Sequence, residues 1–118
     1  MADFPKISRA IPQQRYKYGE FMVSVLGDIE SPEAHDYRYI MAFVKEGGSK
    51  PVAFVTCERS EGDFRQQGQY QLRVINSSMD EVMAADDRYG KLSVFCEQGL
   101  EIGSQLLSLA DEQPFPIG

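Results

Sequence analysis

The chain has 118 residues, of which 42% are apolar and 25% charged, and its formal net charge at pH 7 is -6. This length and composition indicate one globular domain and exclude a disordered, collagen-like or fibrous chain. Residues 1–17 hold four cations and one aspartate, a balance of +3 that leaves -9 for the other residues, and such an acidic body disfavours binding to duplex nucleic acid or an anionic membrane.

The predicted location is the cytoplasm, without a membrane segment. The chain has no run of about eighteen apolar residues, and its first residues lack the continuous apolar stretch of a secretory signal. Cys57 and Cys96 form no CxxC pair. Because free cysteine is among the most buried residue types, we expect both to be buried thiols.

Residues 1–14 contain two prolines and show no sustained side-chain period, which predicts an extended N-terminal arm. Residues 15–118 are then expected to form a single α+β domain. Within it, side chains alternate from Arg15 to Asp28, which indicates one bent strand, or a strand after a short turn, with Gly19 at a bulge or bend.

The best-defined local prediction is a hairpin. A polar connection over residues 30–36 precedes a strand over Tyr37–Lys45, and Gly47 and Gly48 form a loop tip before a returning antiparallel strand over Val52–Glu58. Residues 59–68 are charged and glutamine-rich, which predicts a mobile loop. Gln69–Asn76 is the last clear strand.

The last third of the chain predicts helices. Ser78-Met79-Asp80-Glu81 fits a capping box and predicts a short helix near residues 79–85. From Leu92 to about Ala110, apolar residues recur at three- and four-residue steps, which indicates a long amphipathic helix. We expect the apolar tail, residues 115–118, to dock on the domain. The predicted fold is therefore an antiparallel four- to five-stranded sheet with one long C-terminal helix packed on one face and a short helix before it.

The central strands are apolar on both faces, so one helix leaves a face that needs a second cover. A second copy, the N-terminal arm or a ligand would serve, and we favour a homodimer because two-fold dimers are the commonest assembly. Gly99 and Gly103 indicate close packing of the helix, either on its own sheet or on a partner helix. The predicted interface residues are Tyr37, Tyr39, Met41, Phe43, Gly99 and Gly103, with Tyr16 and Tyr18 beside them.

Aromatic and cationic residues interleave in three segments, a pattern typical of single-stranded nucleic-acid sites. The candidate residues are Arg15, Tyr16, Lys17, Tyr18, Tyr37, Arg38, Tyr39 and Arg73. In regular strands, however, alternation sends the tyrosines to one face and the neighbouring cations to the other. Tyrosines packed at a sheet or subunit boundary are the alternative interpretation.

The chemistry-bearing candidates are few. His35 is the sole histidine and precedes Asp36, and Cys57 is a further weak candidate for a small-molecule site or enzyme. The sequence shows no catalytic triad, metal-ligand spacing or cofactor fingerprint. We therefore predict a non-enzymatic homodimeric interaction module with no cofactor, metal or membrane partner. A further partner of this module would be another protein. The alternatives are a single-stranded nucleic-acid-binding protein, or a small-ligand-binding protein or enzyme with a pocket at the sheet–helix or subunit interface.

Overall fold

The computed structural model describes residues 4–109 and 111–117. It is an α+β fold with one α-helix, α1, and two 3-10 turns, Gly62–Gln66 and Asp87–Gly90. No helix within the described residues is long and apolar enough to cross a membrane. The elements are β1 (Arg9–Tyr18), β2 (Phe21–Glu30), β3 (Tyr37–Lys45), β4 (Pro51–Arg59), β5 (Tyr70–Asn76), β6 (Asp80–Ala85), α1 (Leu92–Leu106) and β7 (Phe115–Pro116).

All strands join one antiparallel sheet in the order β6-β5-β4-β3-β2-β1-β7. The predicted antiparallel sheet and C-terminal helix are confirmed, and so is the β3–β4 hairpin. The predicted number of strands is wrong, since the sheet has seven strands rather than four to five. One additional strand arises because a turn divides the first predicted strand, and the others are β6, in place of the predicted short helix, and β7 in the C-terminal tail.

A tight turn at Gly19 divides what the alternation suggested was one bent strand. Tyr18 pairs with Phe21 across the turn, and Gly19 has a φ of +57°, a conformation that glycine adopts without a side-chain clash. Strand β1 begins at Arg9 and pairs along β2, so residues 9–14 of the arm predicted over residues 1–14 lie in the sheet. Among the described residues, only 4–8 precede the sheet.

The short helix predicted near residues 79–85 is strand β6 instead. Ser78 does not cap a helix. Its amide donates to Asn76 Oδ1 at 2.9 Å, while the Asn76 amide donates to Met79 O at 2.9 Å, and together these bonds close a hairpin turn. Strand β6 forms hydrogen bonds with the backbone N–H and C=O groups on the outer side of β5. These backbone hydrogen bonds outweigh the local preference for a helix.

Helix α1 begins at Leu92, as the apolar period predicts, but it ends at Leu106. Ser108 adopts a φ of +58°, and the Leu109 amide donates to Ser104 O at 2.8 Å, which is the bond that closes a Schellman motif. The predicted helix end at Ala110 lies outside the described residues. Beyond the helix, the tail docks as predicted, because β7 pairs with β1.

The main core lies between α1 and one face of the sheet. Met41 and Phe43 on β3 are fully buried there, and Tyr39 stacks on Phe95 with ring centroids 5.4 Å apart. Gly99 faces the thioether of Met41, and Gly103 faces the ring of Phe43. The two glycines therefore bring the helix close to its own sheet.

The opposite face carries a second, smaller apolar cluster, which is buried within the chain. Its buried residues are Tyr37, Ile40, Ala42, Phe54 and Ile75. The arm contributes to the cover, since the ring of Phe4 packs edge-on against Phe54 at 5.2 Å. The Ser8 amide anchors the arm by donating to Glu30 O at 2.8 Å. The sequence suggested a second copy, the N-terminal arm or a ligand as the cover of this face. In the described residues, the arm covers part of it.

Candidate functional site

A fully buried carboxylate, Glu58, lies on the sheet face turned away from α1, with 0% of its surface exposed. Alternation along β4 places Phe54, Thr56 and Glu58 on this face. On the neighbouring strand β5, Arg73 pairs with Thr56 and Gln71 pairs with Glu58, so these polar side chains meet. Burying a charge is unfavourable unless hydrogen bonds compensate it, so the partners of Glu58 define the site.

The first oxygen of Glu58, Oε1, accepts two hydrogen bonds from inside the chain. Thr56 Oγ1 donates to it at 2.8 Å, and Arg73 Nε donates to it at 2.8 Å. Arg73 also donates to both oxygens of Asp80 at 3.0 Å and to the Tyr37 hydroxyl at 2.9 Å. We call these residues the polar network: Tyr37, Thr56, Glu58, Gln71, Arg73 and Asp80.

Burial and hydrogen bonding act in opposite directions on Arg73. Burial lowers the pKa of the guanidinium, but the bonds to Glu58 and Asp80 outweigh it and the pKa is raised. Burial also raises the pKa of Tyr37, which donates to Glu33 Oε1 at 3.0 Å. Arg73 is therefore a cation and Tyr37 a neutral hydroxyl at neutral pH.

The second oxygen of Glu58, Oε2, faces His35. His35 Nδ1 lies 3.0 Å from this oxygen and also 3.0 Å from Glu61 Oε1. Gln71 Nε2 donates to the same two oxygens, at 3.1 Å and 3.4 Å. The Glu61 amide in turn donates to Gln71 Oε1 at 3.0 Å. An imidazole and two carboxylates therefore converge on one point, held by a buried amide.

A cleft of about 590 Å³ opens above this point, and we call it the acidic cleft. Its lining residues are His35, Glu61, Gly62, Asp63, Phe64, Gln71, Arg73, Asp80 and Val82. The side chains of His35 and Glu61 are 28% and 54% exposed, so solvent reaches the edge of the cluster. The ligating atoms of His35, Glu58 and Glu61 all lie within 4.8 Å of one another and could hold a metal ion.

The three small-molecule candidates predicted from the sequence do not share one site. His35 lines the acidic cleft, whereas the exposed carboxylate of Asp36 lies 3.5 Å from Arg59 Nε. Cys57 points to the helix side, where its thiol donates to Tyr89 O at 3.2 Å. Cys57 and Cys96 are both free and buried, as predicted.

Burial raises the pKa of Cys57 to about 12 and so predicts an alkaline loss of stability. In the unfolded chain the thiol ionises near pH ~8.5, so between that pH and 12 only the folded state keeps the proton. The free energy of unfolding should fall across this window by up to ~1.4 kcal/mol per pH unit. Urea unfolding between pH 7 and 11 measures the slope.

Other groups that titrate at alkaline pH affect the wild-type chain and a Cys57→Ala variant alike. The difference between the two plots of unfolding free energy against pH therefore isolates the contribution of this thiol. The variant should show a shallower fall above pH ~8.5. Equal slopes in the two proteins would contradict the assignment.

The eight candidate nucleic-acid residues do not share one exposed surface. Tyr18 and Tyr37 are buried, Tyr39 stacks on Phe95, and Tyr16 is half-buried and lines a hollow together with Cys96. Arg73 belongs to the polar network. The remaining candidates, Arg15, Lys17 and Arg38, are exposed, with Lys17 Nζ 3.3 Å from Glu46 and Arg38 above the Tyr39 ring. The buried tyrosines and the exposed cations therefore do not form one accessible surface, although Arg38 lies over the half-buried ring of Tyr39.

The predicted interface residues lie inside the chain. Met41 and Phe43 are in the core beneath α1, together with Gly99 and Gly103, and Tyr37 lies in the polar network. Tyr39 is half-buried against Phe95. A dimer contact through Met41 or Phe43 would require opening the core.

Sequence reasoning singled out His35 but missed its partners Glu58 and Glu61, and the amide of Gln71 that donates to both of them. A signal was present, because Glu58 interrupts an apolar strand at a position that shares a face with Phe54. Gln71 and Arg73 repeat this alternation on the next strand. Polar residues at matching positions of adjacent strands indicate a polar cluster on one face of the sheet.

Comparison with known proteins gives no family assignment. No protein-family model, no curated protein and no solved structure matches this chain at a significant level. The interpretation of the acidic cleft therefore depends on its own geometry and charge.

Proposed function

We propose that this chain is a small non-enzymatic binding protein that takes up a cation in the acidic cleft. The observation that carries the proposal is the convergence of Glu58 and Glu61 on His35 at the foot of a solvent-reached cleft. Clefts with a few convergent polar groups are the usual sites of small ligands. A buried polar network that lies beneath such a cleft gives it a preformed shape.

The charges of the cleft favour a cation over an anion. The carboxylates are those of Glu58, Glu61, Asp63 and Asp80, whereas the guanidinium is that of Arg73 alone. Arg73 already bonds to Glu58 and Asp80, so its charge is engaged by the network. The surplus negative charge at the edge of the cleft attracts a cation and repels phosphate or nucleic acid.

The lining supports binding rather than catalysis. His35 beside a carboxylate is suited to general acid–base work, but among the described lining residues there is no serine, threonine, cysteine or lysine to act as a nucleophile. Cys57 lies on the other face of the sheet with a pKa of about 12, so it is protonated at neutral pH. The described lining thus lacks a hydroxyl, thiol or amine nucleophile, which favours ligand binding over catalysis through such a group.

A second hollow, of about 430 Å³, is less suited to specific binding. Asp36, Arg38 and Arg59 are among its lining residues. Their side chains are exposed, and Arg59 is already close to Asp36, so the pair is screened by solvent. The buried Glu58 and its partner Gln71 are not part of its lining.

Spectral mapping with the labelled full-length chain tests the proposal. We expect Mg²⁺, Zn²⁺ or spermidine to shift the amide resonances of residues 33–36, 59–63 and 71–73 at about 150 mM NaCl, where weak surface attraction is screened. A Glu61→Gln/Asp63→Asn variant should bind roughly tenfold more weakly, which corresponds to about 1.4 kcal/mol. Glu101→Gln, which removes an exposed carboxylate of α1, is the matched control and should bind normally.

The opposite result is equally definite. If none of the three cations shifts these amides, or if both variants weaken binding equally, the acidic cleft is not the binding site and the proposed function is wrong.

As a second candidate, we propose self-association through the β6 side of the sheet. Strand β6 has a strand neighbour on one side, and Met83 on it is 51% exposed. Met79, Ile102 and Leu106 join Met83 around an apolar hollow of about 200 Å³. A two-fold pair would bury this patch on both copies.

Native mass spectrometry should show a dimer of the wild-type chain, and the Met83→Glu variant should be a monomer. A monomeric wild-type chain would exclude self-association through this patch.

A further inference from the structure

We infer that the acidic cleft binds a divalent transition-metal ion, with His35 Nδ1 and one carboxylate oxygen each from Glu58 and Glu61 as ligands. This inference rests on the proposed function, because it names the cation that the cleft takes.

The spacing of the three atoms fits a shared metal ion. His35 Nδ1 lies 3.0 Å from Glu58 Oε2 and 3.0 Å from Glu61 Oε1, and all three atoms lie within 4.8 Å of one another. Atoms bound about 2.1 Å from a metal lie roughly 3.0 Å apart at adjacent octahedral positions and roughly 3.4 Å apart at tetrahedral corners. The cluster is therefore already near the spacing that coordination requires.

The donor set selects the type of metal. Mg²⁺ and Ca²⁺ prefer oxygen ligands only, whereas Zn²⁺, Mn²⁺, Fe²⁺ and Co²⁺ accept an imidazole nitrogen together with carboxylates. His35 supplies that nitrogen. We therefore expect Zn²⁺ and Co²⁺ to bind more tightly than Mg²⁺.

The surrounding residues orient the ligands as the outer partners of metal sites do. Thr56 and Arg73 hold the inner oxygen of Glu58, which leaves its outer oxygen directed at His35. Gln71, itself buried, donates to the outer oxygen of Glu58 and to the facing oxygen of Glu61. Such partners fix the direction of first-shell ligands before the ion arrives.

The charges also match a divalent ion. Arg73 would repel a metal, but it bonds to the inner oxygen of Glu58 and is itself neutralised by Asp80 at 3.0 Å. The charges of Glu58 and Glu61 then remain for the ion. A hydrogen-bonded cluster of the same three groups is the metal-free alternative, and metal titration distinguishes the two arrangements.

The test uses the full chain after treatment with EDTA. We expect Co²⁺ to give visible absorption at a stoichiometry of one ion per chain, and Zn²⁺ calorimetry to give the same stoichiometry. His35→Ala and Glu61→Gln should each lower the affinity for both Zn²⁺ and Co²⁺ by ~10–100-fold. Both side chains are partly exposed, so these variants are expected to fold, and circular dichroism with EDTA present verifies this. Asp36→Asn, next to His35 but paired with Arg59, is the matched control and should bind like the wild type.

The results distinguish the inference from the function on which it rests. The metal assignment is overturned if Zn²⁺ and Co²⁺ bind the His35→Ala variant as tightly as they bind the wild-type chain. It is also overturned if the two ions bind neither of these proteins. In either case, amide shifts caused by Mg²⁺ or spermidine around the cleft would still support a cation-binding protein. If no cation shifts the cleft amides, both proposals fail together.

Discussion

Replacing Arg73 with methionine is expected to lower the free energy of unfolding by about 3–5 kcal/mol. The guanidinium is nearly buried and donates to Glu58, Asp80 and Tyr37. Without it, the buried carboxylate of Glu58 loses its guanidinium partner, and an unpaired buried carboxylate is unfavourable. Urea denaturation near pH 7 measures the loss.

Two further variants show whether the loss comes from the unpaired carboxylate. Changing Glu58 to methionine as well removes the stranded charge, so the double variant should recover most of the stability. Arg59→Met breaks an exposed pair with Asp36 and should cost at most ~1 kcal/mol. If Arg73→Met costs no more than Arg59→Met, the polar network does not stabilise the chain through this pair.

Gly103→Ala should lower the free energy of unfolding by about 2 kcal/mol. A Cβ at this position would overlap Cζ of Phe43, a fully buried ring, and would lie 2.6 Å from its Cε1. Overpacking against a rigid neighbour costs up to ~3 kcal/mol, while the better helix propensity of alanine returns ~1 kcal/mol. Chemical denaturation of the variant and the wild type measures the difference.

Gly99→Ala is the matched control one turn earlier in α1. Its Cβ would meet the Sδ and Cε atoms of Met41 at 2.9 Å and 2.7 Å, and this flexible tip can turn aside. Its stability should therefore stay within ~1 kcal/mol of the wild type. Phe43→Leu in the Gly103→Ala background should relieve part of the clash. Equal losses at the two glycines would show that the ring does not set the helix-to-sheet distance.

The parts of the fold that could be predicted are those with strong local periods. The hairpin of β3 and β4 follows from alternation around Gly47 and Gly48, and the start of α1 at Leu92 follows from its apolar stripe. Both signals lie within one element or one turn, so tertiary contacts did not have to be known.

The errors lie where a distant partner decides the local structure. Ser78 and Glu81 satisfy a helix-capping pattern, but the open edge of β5 offers a ladder of backbone hydrogen bonds, and β6 takes it. Residues 9–14 show no regular period because irregular pairing with β2 shifts the register in this part of β1. A short window of sequence does not include the distant strand, so it does not reveal the backbone hydrogen bonds that outweigh the local preference.

The candidate site could be predicted only in part for the same reason. His35 was visible as a lone histidine beside a carboxylate, but its contacts are with Glu58 and Glu61 rather than with Asp36. Their convergence requires the pairing of β4 with β5, in which Glu58 faces Gln71. The register of β4 with β5 depends on how both faces of the sheet pack, and the sequence of one strand alone does not determine that packing.

The order of the strands has a consequence for the folding of the chain. From β1 to β6, each strand pairs with its neighbour in sequence, so each pairing closes a short loop. The exception is β7, whose docking brings the Ile117 amide to Arg15 O across almost the whole chain. Local pairings favour rapid folding of a sheet, whereas this late contact bears the largest loop entropy. The C-terminal strand is therefore expected to be the last part to join the sheet and the first to leave it.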